Sequence, residues 1–242
     1  MGNRFKHFKN QQHNEELMKI PHLFKAEHNS EKKLSKITIY GIIGSSWWSE
    51  SISASDIDRA LNEAGDNDLE IRLNSPGGDA FDGIAIHNRL VNHPGKVTTY
   101  IDGWACSAAS LIPPASDEVI MGVGAMVMIH PASSGVWGTR KDFLKEAEIL
   151  EKLESGIVDI YMQVAKVERE EIMQMVDNET WFTADEAIAI GFASGTTAIT
   201  EGAEPTIPTQ LSAEDYKLSV LQRFKKEPQQ NILNKFKRGS NE

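Results

Sequence analysis

Internal disulfides are excluded at the outset, because the 242 residues include a single cysteine, Cys106. A zinc centre built on several thiolates is excluded for the same reason, and a reducing, cytoplasmic compartment fits best. Long apolar runs are also missing. No stretch approaches the roughly 18 apolar residues that a membrane span needs, so no integral membrane protein is expected. Met1–Lys6 lead into no apolar segment of the kind a secretory signal requires. Lys6 stands where a myristoylation signal has Ser or Thr. No repeat of 20–50 residues is visible. His7, His13, His22 and His28 fit no ligand spacing, and neither a metal nor a cofactor is expected.

What is there is ordinary in bulk: 40% hydrophobic and 25% charged residues, enough to bury one sizeable core. The charge is unevenly placed. Residues 1–36 carry 8 Lys/Arg against 4 Asp/Glu, and residues 217–242 carry 7 against 2. The segment between them has 10 basic and 29 acidic residues, so an acidic body carries two basic tails. The tails read as solvated, or as assembly or self-processing segments, and not as the footprint of a specific nucleic-acid partner.

Three regions follow: a polar basic arm at 1–35, with a short helix around Glu15–Lys19; a folded body at 36–200; and a linker with a basic tail at 201–242, with a helix at 212–224. In the body, Lys36–Tyr40 and Leu69–Leu73 alternate like strands. Ser53–Asp56 starts a helix with the stripe Ile57, Ala60, Leu61 and Ala64. A helix from Asp79 carries Phe81, Ile84, Ala85, Leu90 and Val91, which places His87 and His93 at the surface. Lys96–Ile101 is strand-like, Gly103–Ala115 reads as a small-residue helix, and Val119–Met121 and Met126–Ile129 as short strands. The longest helical pattern, 141–166, has the stripe Leu150, Leu153, Ile157, Ile160, Tyr161 and Val164. Another helix is suggested by Ile172, Met173 and Val176. Thr183 and Glu186 form a capping box opening a helix that Gly191 ends. Strand, glycine loop, helix, strand is the order of a βαβ unit.

Four segments could carry chemistry. Asn74-Ser-Pro-Gly-Gly78 follows a strand and precedes a helix, so its backbone can approach a ligand and aim N–H groups at an anion. Gly103-Trp-Ala-Cys-Ser-Ala-Ala-Ser110 could present a serine at a strand-to-helix turn with a free N–H beside it. Ser107 and Ser110 both qualify as nucleophile, and Cys106 is a rival that reads better as a small buried hydrophobe. His130 closes the apolar strand Met126–Ile129, the rigid placement that a general base needs. Asp177 and Glu179 precede an aromatic pair and could orient an imidazole, while Asp185 and Glu186 are explained by the helix cap.

In order and spacing, these segments resemble the proteolytic subunit of the Clp protease, and more narrowly the Clp-like proteases encoded in phages and prophages. The resemblance runs from about Ile37 to Ser194. It implies an α/β fold of the ClpP/crotonase type, built from repeated ββα units with a protruding long helix at 141–166 that docks ring to ring. It also implies that Ser107, not Ser110, is the nucleophile and His130 the base. Gly78 and Ala108 would form the oxyanion hole, with Gly77 in the substrate-binding loop. The family's acid is usually Asp, and the ungapped match falls on Glu179, with Asp177 the alternative. The implied partners are a polypeptide substrate, further copies in a ring, and either an unfoldase ATPase or a phage scaffold or capsid protein. Rival readings are a crotonase-fold acyl-CoA enzyme, which would not need Ser107 and His130 together, and a catalytically silent assembly subunit. A signal-peptide-peptidase-like enzyme would want a catalytic Lys and a membrane segment.

Overall fold

A computed structural model describes residues 22–44 and 51–197. The helices expected near 15–19 and at 212–224, and the linker after 200, lie outside the described residues. The elements run in this order: β1 (Leu23–Asn29), β2 (Leu34–Tyr40), α1 (Ala54–Ala64), β3 (Asp68–Ser75), α2 (Ala80–Val91), β4 (Val97–Cys106), 3₁₀ turns at Ser107–Leu111 and Pro113–Ala115, β5 (Glu118–Met121), β6 (Met126–Ile129), α3 (Arg140–Met162), α4 (Arg169–Asp177), β7 (Thr180–Phe182), α5 (Ala184–Ile190) and β8 (Gly195–Thr196).

The strands form one mixed sheet in the order β1-β2-β3-β4-β5-β8, and β6 pairs with both β4 and β7. β2, β3, β4, β5 and β8 pair in parallel, and β1 and β7 antiparallel to their neighbours. Same-face neighbours Ile37, Ile71, Ile39, Leu73 and Ile101 are all fully buried, as are Ile57 of α1 and Ile86 of α2. Two elements depart from the sequence pattern. β1 lies in the stretch read as an arm, and β4 runs through to Cys106 where a helix was expected. β4 outlasts the helical preference of its alanines because its second half pairs with β6, Trp104 to Met126 and Cys106 to Met128. Between Leu73↔Ile101 and Ser75↔Ala105, β4 advances by two more residues than β3. This bulge bends the strand and re-aims its end, a common device beside functional sites. Asp102, in the bulge, accepts hydrogen bonds from Tyr40 and Arg72 and so ties β2 and β3 to β4 there.

α2 also turns a different face inward. Its buried residues are Gly83, Ile86, His87 and Leu90, while Phe81 is 64% and Val91 51% exposed. Gly83 is needed there, because a Cβ would lie 2.7 Å from the Ala108 carbonyl oxygen. His87, expected at the surface, is fully buried with Nδ1 2.9 Å from the Leu111 carbonyl oxygen. His93 is half-buried, its Nε2 2.6 Å from the Asn67 carbonyl oxygen.

Burial holds the His87 pKa below the ordinary 6.5, so the neutral ring donates from Nδ1 to Leu111. A base whose pKa falls on folding stabilises the fold above its unfolded value and loses that contribution as pH drops below it. Between pH 7 and 5 the protein should therefore lose stability more steeply than His87→Gln, by up to about 1.4 kcal/mol per pH unit. Urea titrations at each pH read the two slopes, and equal slopes would contradict the assignment.

α3 opens on the capping box of Thr139 and Asp142. Only its second half is buried, at Ile157, Val158, Ile160 and Tyr161, while Phe143, Leu144 and Ile149 in the first half are exposed. The Thr183–Glu186 capping box and the left-handed Gly191 (φ 95°) bound α5 as the sequence indicates. No helix among the described residues is long and apolar enough to cross a membrane.

Candidate active site

The carboxyl ends of β3, β4 and β6 meet at one edge of the sheet, where open α/β sheets bind ligands. β3 delivers the glycine loop. Its path is pinned on both sides: Gly77 N–H donates to Ser75 Oγ (3.1 Å), Ile43 N–H to the Gly77 carbonyl (2.9 Å) and Asp79 N–H to the Ile43 carbonyl (2.9 Å). Gly77 and Gly78 have φ of 95° and 148°, and a Cβ on Gly78 would stand 1.9 Å from the Ile43 carbonyl oxygen. Only glycine fits either position. Asp79 then caps α2, its Oδ1 accepting from the N–H groups of Phe81 and Asp82.

β4 delivers Ser107, which sits at φ 54°. For a residue with a Cβ this left-handed backbone costs about 1–2 kcal/mol, and such strain clusters at sites of function. β6 delivers His130, and His130 Nε2 lies 2.8 Å from Ser107 Oγ. The alternatives that the sequence left open are separated by burial. Ser110 is 3% exposed and its hydroxyl is engaged by the Ser107 carbonyl (2.5 Å) and the Tyr161 hydroxyl (2.7 Å). Cys106 is 1% exposed, and burial pushes its thiol up to about 12, which makes it a poor nucleophile.

Gly78, Ser107, Ala108 and His130 line one cleft of about 300 Å³. The N–H groups of Gly78 and Ala108 donate to no protein acceptor among the described residues. Ala108 is in the first turn of a 3₁₀ helix, where an N–H has no partner within the helix. Leu111 and the α3 residues Leu150, Leu153, Ile157 and Tyr161 make the apolar side of the cleft. In the sequence the α3 residues were legible as a helical stripe, with nothing to mark them as a cleft wall.

The two candidate acids are not in the cleft. Among the described residues, His130 makes one ring hydrogen bond, the one to Ser107. β6 and β7 pair as Val127↔Phe182, Met128↔Trp181 and Ile129↔Thr180. His130 and Glu179 are the residues next to the last pair of this ladder, His130 after Ile129 and Glu179 before Thr180. Glu179 is exposed at φ 49°, and Asp177 is the exposed last residue of α4, two positions further off.

A family model described as Clp protease matches residues 49–198. The chain belongs to the Clp protease family. Two similar proteins are the ATP-dependent Clp protease proteolytic subunit 3 of Rhodococcus jostii and subunit 1 of Chlamydia abortus. The first is 32% identical over 122 residues, covering 50% of this chain and 60% of that protein. The second is 32% identical over 127 residues, covering 51% and 66%. The match therefore spans just under two thirds of these relatives' length. Among solved structures, a single-site variant of ClpP1 from Listeria monocytogenes superposes with a TM-score of 0.59 at 21% identity. It covers 67% of this chain and 90% of that one. That likeness shows the fold, the ClpP-type mixed α/β sheet that the motifs implied.

Proposed function

We propose that the chain is a serine endopeptidase in which Ser107 is the nucleophile and His130 the general base. The observation that carries this reading is the 2.8 Å contact between Ser107 Oγ and His130 Nε2 beside two free N–H groups. In the neutral imidazole, Nε2 accepts the Ser107 hydroxyl proton and Nδ1 carries the ring's own. Ser107 Oγ attacks the scissile carbonyl while His130 takes its proton and then returns it to the leaving amine. The Gly78 and Ala108 N–H groups receive the oxyanion of the tetrahedral intermediate. Water, activated by the same imidazole, then releases the acyl group. Gly77, expected in the substrate-binding loop, is not among the residues lining the cleft, and its close approach to Cys106 and Ser107 keeps the loop against the nucleophile turn. A substrate with an apolar side chain on the acyl side fits the wall of Leu111, Leu153 and Ile157.

A fluorophosphonate probe, with the modified peptide mapped by mass spectrometry, tests this directly. Labelling confined to Ser107 is expected; an unlabelled protein that cleaves no peptide would favour the acyl-CoA or silent-subunit reading.

We assign Glu179 as the acid, because it is next to Thr180, the β7 residue paired with Ile129 beside His130, whereas Asp177 lies two positions further off. Glu179→Gln should lower kcat by more than about 10-fold, towards the 10⁴ seen when a triad acid is neutralised elsewhere. Asp177→Asn should stay within about 2-fold in the same peptidase assay. Two unchanged variants would mean a dyad without a working acid.

The same reading includes assembly into a ring, supported by the exposed Phe143, Leu144 and Ile149 of α3. A protomer-sized particle near 26.9 kDa in light scattering would contradict it. More narrowly, we propose the phage or prophage type, acting on a head or scaffold protein in the cytoplasm. The resemblance of the four motifs and the two basic segments support this. Co-expression with the neighbouring genes, with and without ATP hydrolysis, separates it from proteolysis with an unfoldase ATPase.

A further inference from the structure

Two buried hydroxyls beside the cleft are not used by the chemistry above. Ser110 and Tyr161 are 3% and 2% exposed, and lie 51 positions apart in sequence. Ser110 Oγ is 2.5 Å from the Ser107 carbonyl oxygen and 2.7 Å from the Tyr161 hydroxyl. A carbonyl can only accept, so the single Ser110 proton goes to Ser107. The Tyr161 O–H must therefore donate to Ser110 Oγ. The chain of donors thus has one direction, from Tyr161 through Ser110 to the Ser107 carbonyl.

That carbonyl belongs to the same planar peptide as the Ala108 N–H. A donor on its oxygen fixes the plane of the peptide and draws electron density towards the oxygen, which strengthens the N–H as a donor. Ala108 N–H is one of the two groups proposed to receive the oxyanion. We propose that Ser110 and Tyr161 are positioning residues for the oxyanion hole, acting through the Ser107–Ala108 peptide. The inference rests on the peptidase reading.

Tyr161 is well placed to serve as the fixed end. Its ring packs against Phe192 (centroids 5.3 Å apart), and Phe192 against Phe182 of β7 (5.6 Å). Complete burial raises the Tyr161 pKa above its ordinary value, so the hydroxyl stays protonated as a donor across the working pH range. The 3₁₀ turn is held at its far end by His87 on the Leu111 carbonyl.

The test uses the full chain in its native assembly, a chromogenic peptide substrate and a peptidyl boronic acid that forms a tetrahedral adduct with the nucleophile. Losing a whole oxyanion donor costs about 10²–10³ in other serine proteases. Weakening one should cost less. Ser110→Ala is expected to lower kcat by about 10-fold and boronate affinity by the same factor, with KM within about 2-fold. Tyr161→Phe keeps the ring and its packing and removes one proton, so a loss of about 3-fold in both quantities is expected. The double variant should fall no further than Ser110→Ala, because the two hydroxyls act in series. Unchanged kcat in Ser110→Ala, or a loss carried by KM with boronate affinity intact, would overturn the inference. If the unmodified protein neither cleaves peptide nor binds boronate, it is the peptidase reading that fails, and this one with it.

Discussion

Ser107→Ala should lower peptide hydrolysis by about 10⁴-fold or more and leave the fold in place. The size follows from the division of labour in the cleft. Without the hydroxyl there is no acyl-enzyme, and only the oxyanion donors and substrate binding remain to help water. Stability should change by no more than about 1 kcal/mol, because the lost hydrogen bond to His130 is half-buried and its partner can turn to solvent. His130→Ala should cost nearly as much in rate, and the double variant little more than either, because nucleophile and base act as a unit. Steady-state kinetics on a peptide substrate read the rates, and thermal unfolding reads the fold. Retention of wild-type rates by Ser107→Ala would remove the assignment. A loss of only about 10-fold, the size expected for Ser110→Ala, would mean that Ser107 supports the chemistry without performing it.

The parts of this site that were legible in the sequence are those whose physics is local. The glycine loop, the nucleophile turn and the histidine strand each end one strand, and each needs particular residue types within five or six positions. What was not legible depends on partners far away along the chain. β1 is an edge strand on which Phe24 and Ala26 are only half-buried, so its alternation is too weak to separate from a polar arm. The helix expected from the small residues around Ala105 gives way to a strand because β3 and β6 pair on either side of it. His87 sits on the inner face of α2 because a carbonyl of the nucleophile turn meets it there, and no pattern of apolar residues marks that. The choice between Asp177 and Glu179 turns on a two-strand register across about 50 residues. Ser110 was visible as one of two serines chemically able to be the nucleophile. Its burial against Tyr161, which only the fold creates, is what supports the positioning role proposed for it.

Gly77→Ala should damage both the fold and the rate. Its φ of 95° already excludes an easy fit for any residue with a Cβ, at a cost of about 1–2 kcal/mol. The added carbon would then lie 2.5 Å from the Cys106 carbonyl oxygen, 2.6 Å from Ser107 Cβ and 2.9 Å from Ala108 N. None of these atoms belongs to a flexible side-chain end, so the loop and the nucleophile turn must separate. Overpacking of this kind costs a further 1–3 kcal/mol or so. The movement needed to relieve it displaces both the nucleophile and an oxyanion donor, so kcat should fall by at least about 10²-fold. Gly124→Ala is the matched control. It has the same left-handed backbone (φ 76°) but nothing within 4 Å of its added carbon, so it should bear the backbone cost alone and keep its rate. Measured side by side, the pair separates strain from position. A larger loss of stability in Gly77→Ala, by about the 1–3 kcal/mol of overpacking, with activity lost only there, means that the glycine loop sets the geometry of Ser107 and Ala108. Equal activity in both would show that the nucleophile turn tolerates the shift, and the oxyanion assignment would fall with it.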